Sequence, residues 1–109
     1  MTKSAQALVC FLVEWYQGGP IGLSADDAAV HLLRAASASE RLGEPVDLVL
    51  VLTMPADSTL FAVFTSADVE AVIHACQRAG WPADRITADV QPWLPAGNPC
   101  DGRGSAAVS

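Results

Sequence analysis

The spacing of apolar and polar positions changes repeatedly along the chain, and each change marks an element. Ala7 to Tyr16 (ALVCFLVEWY) is rich in β-branched and aromatic residues and almost continuously apolar through Val13, which predicts a strand covered on both faces. Gly18, Gly19, Pro20 and Gly22 interrupt it, and Ser24 followed by Asp27 is a capping-box-like helix start. The helix is predicted from Ala25 to Leu42, with Ala28, Leu32, Ala35 and Leu42 on its apolar face and Asp26, Arg34, Glu40 and Arg41 largely opposite. Gly43 and Pro45 end it. Val46 to Met54 (VDLVLVLTM) and Leu60 to Thr65 (LFAVFT) read as strands, and the Pro55 to Thr59 loop between them has hairpin length, so they are expected to pair antiparallel.

Thr65 with Asp68 offers a second capping box, after which Val69, Val72, Ile73 and Cys76 form an apolar stripe at helical spacing, closed by Gly80 and Pro82. Arg85 to Leu94 (RITADVQPWL) alternates, placing Ile86, Ala88 and Val90 on one side and Thr87, Asp89, Gln91 and Trp93 on the other. The order strand, helix, strand, strand, helix, strand predicts an α+β fold of the ferredoxin-like βαββαβ kind. It would have a four-stranded antiparallel sheet with two helices on one face. One such domain would span residues 7–94, with a flexible Gly, Pro and Ser-rich tail at 95–109 that holds Cys100 as an exposed thiol. The first six residues are expected to be ragged, and the glycine stretch reads as a tight turn rather than a phosphate loop.

Two helices cover one face only, while the first strand is apolar on both: Phe11, Val13 and Trp15 alternate with Leu8, Cys10 and Leu12. A second copy packed sheet to sheet is the economical cover, so a homodimer of the dimeric α+β barrel type is expected.

The 109 residues carry 6 basic and 12 acidic side chains, a formal charge of −6, with no basic cluster; nucleic acid and anionic membrane are therefore not expected partners. The longest uncharged apolar run, Ala5 to Val13, is too short to span a bilayer. Three cysteines without a C-x-x-C pair, behind no recognisable leader, point to a cytoplasmic protein.

If Phe11, Val13 and Trp15 face the helices, Glu14 and Tyr16 face the other way, toward the side assigned to Asp89, Gln91 and Trp93. A few polar groups converging in an apolar enclosure are what a small-molecule site requires, and a desolvated carboxylate there could act as a general base. His31 lies at the margin of the first helix's apolar face, and His74 lies one turn after Glu70 on the exposed face of the second. Neither belongs to an H-x-x-x-H or H-E-x-x-H pattern, and Cys76 falls on the apolar stripe.

The segment RAGWPADRIT (Arg78 to Thr87), behind an edge strand and an acidic helix start, and FLVEWYQGGPIGLSADD (Phe11 to Asp27) upstream, carry a resemblance over residues 8–94. The chain resembles a family of small, mostly actinobacterial proteins that includes a nickel-binding, nickel-responsive member. That resemblance implies the dimeric ferredoxin-like fold and a metal site with histidines after the first strand and in both helices. Here Tyr16, Gln17 and Gly18 occupy the first of these regions; His31 stands one position off the second, and Cys76 stands near the third. Nickel or another divalent metal is the cofactor the resemblance implies, with His31 and Cys76 as its ligands; the residues alone call for no cofactor.

The reading is a homodimeric, non-enzymatic protein that binds a small molecule or a metal ion, with Glu14, Tyr16, Asp89, Gln91 and Trp93 at the ligand. The alternative is a cofactor-independent α+β-barrel enzyme, an isomerase, cyclase or monooxygenase acting on a small apolar substrate, with Glu14 or His31 as acid/base. A third reading is an interaction module whose apolar sheet face docks another protein.

Overall fold

A computed structural model describes residues 8–16 and 23–97. The lead, the glycine stretch and Cys100 with its surroundings lie outside the described residues.

Strand β1 (Val9–Tyr16), helix α1 (Ala25–Arg41), strands β2 (Val46–Met54) and β3 (Thr59–Ser66), helix α2 (Val69–Arg78) and strand β4 (Arg85–Val90) follow one another in the expected order. The four strands form one antiparallel sheet in the order β2-β3-β1-β4. This is the ferredoxin-like arrangement. Among the described residues, no helix is long and apolar enough to cross a membrane.

Ser24 caps α1 as its spacing predicts: its Oγ accepts from the Asp27 N–H at 3.1 Å, while Asp26 and Asp27 place negative charge in the first turn, where the helix dipole favours it. Ala28, Leu32, Ala35, Ala36 and Ser39 are buried. Leu42, assigned to that face, is exposed instead, because the helix ends at Arg41 and Leu42 is its C-cap, turned off the apolar stripe. Gly43 follows at φ +85°, the left-handed conformation that lets the chain leave the helix.

The capping box expected at Thr65 is not formed. Thr65 is still within β3, and Asp68 is the cap, its Oδ1 accepting from the Ala71 N–H at 3.0 Å. The buried stripe of α2 is accordingly Ala71, Val72, Ala75 and Cys76, with Val69 exposed at the first helical position. Asp68→Ala is expected to lower stability by about 1 kcal/mol, the usual value of a lost N-cap. Urea unfolding checks this through a lower midpoint at unchanged slope.

Strand β4 is shorter than its alternation suggested, ending at Val90 rather than Leu94. Asp89 takes φ +60°, and the β1–β4 register shifts there, with Phe11 opposite Ala88 but Cys10 opposite Val90. This bulge moves Val90 to the face opposite that of Ile86 and Ala88, which a strict two-residue period placed together.

The core lies between the sheet and the helices. Phe11, Val13 and Trp15 of β1 and Leu60, Ala62 and Phe64 of β3 pack against Ala28, Leu32 and Ala35 of α1 and Val72, Ala75 and Cys76 of α2.

Candidate functional site

Directly opposed residues on neighbouring strands share a face, so the register assigns the other side of the sheet. Cys10, Leu12, Glu14 and Tyr16 lie opposite Thr65, Val63, Phe61 and Thr59 of β3, which lie in turn opposite Asp47, Leu50, Leu52 and Met54 of β2. On the other flank of β1, Leu12 faces Thr87 and Glu14 faces Arg85. The face is not uniformly open. Cys10, Val63 and Thr65 at one end are buried within the single chain although they stand outside the helix-side core. Cys10 is disulfide-bonded. At the other end, Tyr16, Leu52 and Met54 are exposed.

Polar groups gather at that exposed end, on the β1–β4 side. The Tyr16 hydroxyl donates to Glu14 Oε1 at 2.6 Å, and Arg85 Nε stands 3.9 Å from Glu14 Oε2. The Tyr16 N–H donates to Asp84 Oδ2 at 2.7 Å, and the Asp84 N–H donates to the Glu14 carbonyl at 2.9 Å. Asp84 thus holds the end of β1 from both sides and aims the Glu14–Tyr16 pair. The hydrogen bond to Glu14 is the main cause of a raised Tyr16 pKa, with desolvation and the carboxylate's charge adding to it and Arg85 opposing. Tyr16 is therefore a neutral donor at physiological pH, and the Glu14 side chain, only 13% exposed, is the acceptor.

Of the residues expected at the ligand, the structure brings Glu14 and Tyr16 together and places the other three elsewhere. Asp89 sits in the bulge beside the Cys10 end, about 13 Å along β4 from Arg85. Gln91 and Trp93 lie beyond the end of β4, and Trp93 is 82% exposed. Asp84 and Arg85 take their place, and sequence reasoning missed both. Their signal was position: Asp84 immediately precedes β4 and Arg85 opens it, just after the Gly80-Trp81-Pro82-Ala83 turn, where antiparallel pairing with the end of β1 brings them to Glu14.

His31 belongs to the helix side of the sheet. Its ring stacks on Trp81 with centroids 4.2 Å apart, and Nε2 donates to the Ala79 carbonyl at 2.6 Å, which requires the Nε2–H tautomer. Trp81 meets Trp15 edge to face at 6.2 Å and accepts its indole N–H on the main-chain carbonyl at 2.8 Å. Cys76 is a free, buried thiol whose pKa burial pushes up to about 12, so it is no thiolate nucleophile at neutral pH. Among the described residues, no group of three or more His, Cys, Asp or Glu could hold a metal ion. The structure thus gathers no further ligand around the two residues suggested by the resemblance, His31 and Cys76, among the described residues.

His74 joins a separate polar cluster. Its Nδ1 lies 2.7 Å from Glu44 Oε2, while Arg78 donates to Glu44 Oε1 and to Ser39 Oγ, each at 2.6 Å. These bonds tie the turn after α1 to α2. Hydrogen bonds from Arg78 first and His74 second hold the Glu44 pKa below its ordinary value of 4.5. A depressed carboxylate pKa contributes stability that is present above the unfolded-state value and is lost as pH falls through the folded one. Glu44→Gln is thus expected to melt below wild type at pH 7, with the gap closing as the pH drops beneath about 4.5 and shrinking in high salt. Thermal melts of both proteins from pH 7 to pH 3 check this.

The chain is similar to SCO4226 from Streptomyces coelicolor A3(2). That crystal structure superposes with a TM-score of 0.57 at 27% sequence identity, covering 72% of this chain and 91% of SCO4226. No protein-family model matches the chain, and no curated protein matches its sequence. The likeness supports the small α+β fold and assigns no activity.

Proposed function

We propose that the protein is a non-enzymatic, homodimeric binding protein that encloses a small, largely apolar molecule between two open sheet faces. The observation that carries this reading is the exposed end of the face opposite the helices. Leu52, Met54 and Phe61 present an apolar floor there, and Glu14, Tyr16 and Arg85 stand at its margin. Apolar floor and convergent polar edge are the two parts of a small-ligand site. A second sheet packed about a two-fold axis would supply the missing wall and remove the exposed apolar surface from water. In that enclosure Glu14 and Tyr16 orient the ligand's polar end: Glu14 Oε2 is left to accept from it, and Arg85 to donate to it.

Sedimentation velocity on the full chain, combined with titration of the apolar dye 1-anilinonaphthalene-8-sulfonate, tests the proposal. A dimer that binds the dye stoichiometrically, more weakly after Arg85→Ala, which removes the donor to its sulfonate, and more tightly after Glu14→Ala, which removes a repelling carboxylate, is the expected result. A monomer at all concentrations removes the enclosure, and a dimer whose dye binding ignores both substitutions removes the site.

A further inference from the structure

One end of the sheet face away from the helices is closed within the single chain. Cys10, Val63 and Thr65 stand there at 1%, 5% and 5% exposure, while Leu52 and Met54 at the other end of the same face are open. The helices lie on the opposite side of the sheet, so this cover has another source.

The chain after β4 is in place to supply it. Strand β4 ends at Val90, directly opposite Cys10, and the bulge at Asp89 turns Val90 to this face. Beyond it, Pro92 and Leu94 are half-buried while Gln91, Trp93 and Pro95 are exposed, so the segment shields one side only. Leu94, like Leu12 and Leu50 of the open face, is partly buried without packing against the helix-side core.

The cysteines identify what fastens this segment. The chain has three: Cys10, Cys76 and Cys100. Cys10 is disulfide-bonded and Cys76 is a free thiol, so within one chain the bond to Cys10 falls to Cys100. The chain length fits. Val90 lies beside Cys10, and the four residues from there to Leu94 span at most roughly 13–14 Å. The Gly97 N–H then donates to the Leu94 carbonyl at 2.8 Å and Gly97 takes φ +116°, which closes a turn. From Gly97 to Cys100 is three residues, roughly 10 Å of chain, and a disulfide joins Cα atoms about 5.5–6 Å apart, so the return path matches the outward one.

We infer that Cys10 and Cys100 form a disulfide that fastens the segment after β4 as a strap over the Cys10 end of the helix-free sheet face, and that reducing this bond uncovers that end. The bond forms when the two thiols pass two protons and two electrons to a small-molecule disulfide such as oxidised glutathione, which leaves as two thiols. Exchange with two small thiols reverses it. Closed, the strap confines any occupant of this face to the end that carries Leu52 and Met54. Open, it adds the Cys10, Val63 and Thr65 surface to the exposed part.

The test uses the full chain, purified without reductant and treated with oxidised glutathione. After denaturation and alkylation with iodoacetamide, intact mass should show a single alkyl group, on Cys76, and digestion should yield a linked peptide joining Cys10 to Cys100. Prior reduction with dithiothreitol should raise the count to all three cysteines. Alkylation of the native, reduced protein reads the strap itself: Cys10 should react at least about tenfold faster than Cys76, which stays in the core, and Cys100→Ser should give Cys10 that reactivity without reductant. Three free thiols after the glutathione treatment, a bond to Cys76, or a covalent dimer would each overturn the pairing. A Cys10 as unreactive as Cys76 in both the reduced protein and Cys100→Ser would overturn the strap.

Discussion

Truncation of Trp15 to alanine is expected to cost about 3–5 kcal/mol, the range for a large aromatic removed from a packed core. The side chain is 2% exposed and sits in the middle of the helix-side core, where nothing can move in to fill its volume without dragging a strand or a helix. Its loss also removes the edge-to-face contact with Trp81 and the 2.8 Å hydrogen bond to the Trp81 carbonyl. Trp81 in turn stacks on His31 of α1, and its N–H donates to the Cys76 carbonyl of α2, so the defect reaches both helices. Against a total stability of about 5–15 kcal/mol for a domain of this kind, such a loss leaves the fold marginal at 37 °C. Trp15→Phe separates the contributions. It keeps most of the buried ring and gives up the indole N–H, and should cost about 1–2 kcal/mol. Urea unfolding followed by far-UV circular dichroism, which does not depend on the removed fluorophore, measures both. Equal losses for the two variants would show that the hydrogen bond, not the packing, is what Trp15 contributes.

Leu52→Glu is expected to leave the single chain folded and to weaken dimerisation at least about 100-fold. In one copy Leu52 is more than half exposed, at 53%, so a carboxylate there stays in water and the melting temperature of the isolated chain barely changes. In the proposed sheet-to-sheet dimer, the two-fold axis buries two such carboxylates without partners, and each carries a desolvation cost of several kcal/mol. Leu42→Glu is the matched control. That residue is 66% exposed at the end of α1, away from the sheet face, and its substitution should leave association unchanged. Sedimentation velocity of wild type and both variants over a concentration series makes the comparison. A Leu52→Glu protein that dimerises as tightly as wild type would place any dimer interface off this face.

The elements readable from the chain were those whose signals are local. Helix α1 starts where Ser24 and Asp27 say it does, because an N-cap is satisfied by a backbone N–H three residues away and needs no other part of the molecule. The β2–β3 hairpin was readable for a similar reason: two apolar runs joined by the short Pro55-Ala56-Asp57-Ser58 turn leave antiparallel pairing as the only short connection. At α2 the local signals competed. Thr65 and Asp68 were both acceptable cap residues, and the pairing of β3 with two neighbours kept Thr65 in the strand and passed the cap to Asp68.

The functional constellation was only half legible. That Glu14 and Tyr16 share a face follows from the two-residue period of one strand. That Asp84 and Arg85 join them, and that Asp89, Gln91 and Trp93 do not, follows from the register between β1 and β4, residues some seventy positions apart in the chain. The bulge at Asp89 is a property of that pairing and has no glycine to announce it. His31 shows the same division: its place near the boundary of an amphipathic helix was readable from spacing, while its stacking on Trp81 and its bond to the Ala79 carbonyl exist only once α1 and α2 are side by side. The sequence by itself determined which segments are helix and strand, their order, and the apolar sides they must bury, since periodicity and caps act over a few residues. The tertiary structure alone decided which polar groups meet, because cross-strand register and helix docking are chosen by the packing of the whole core.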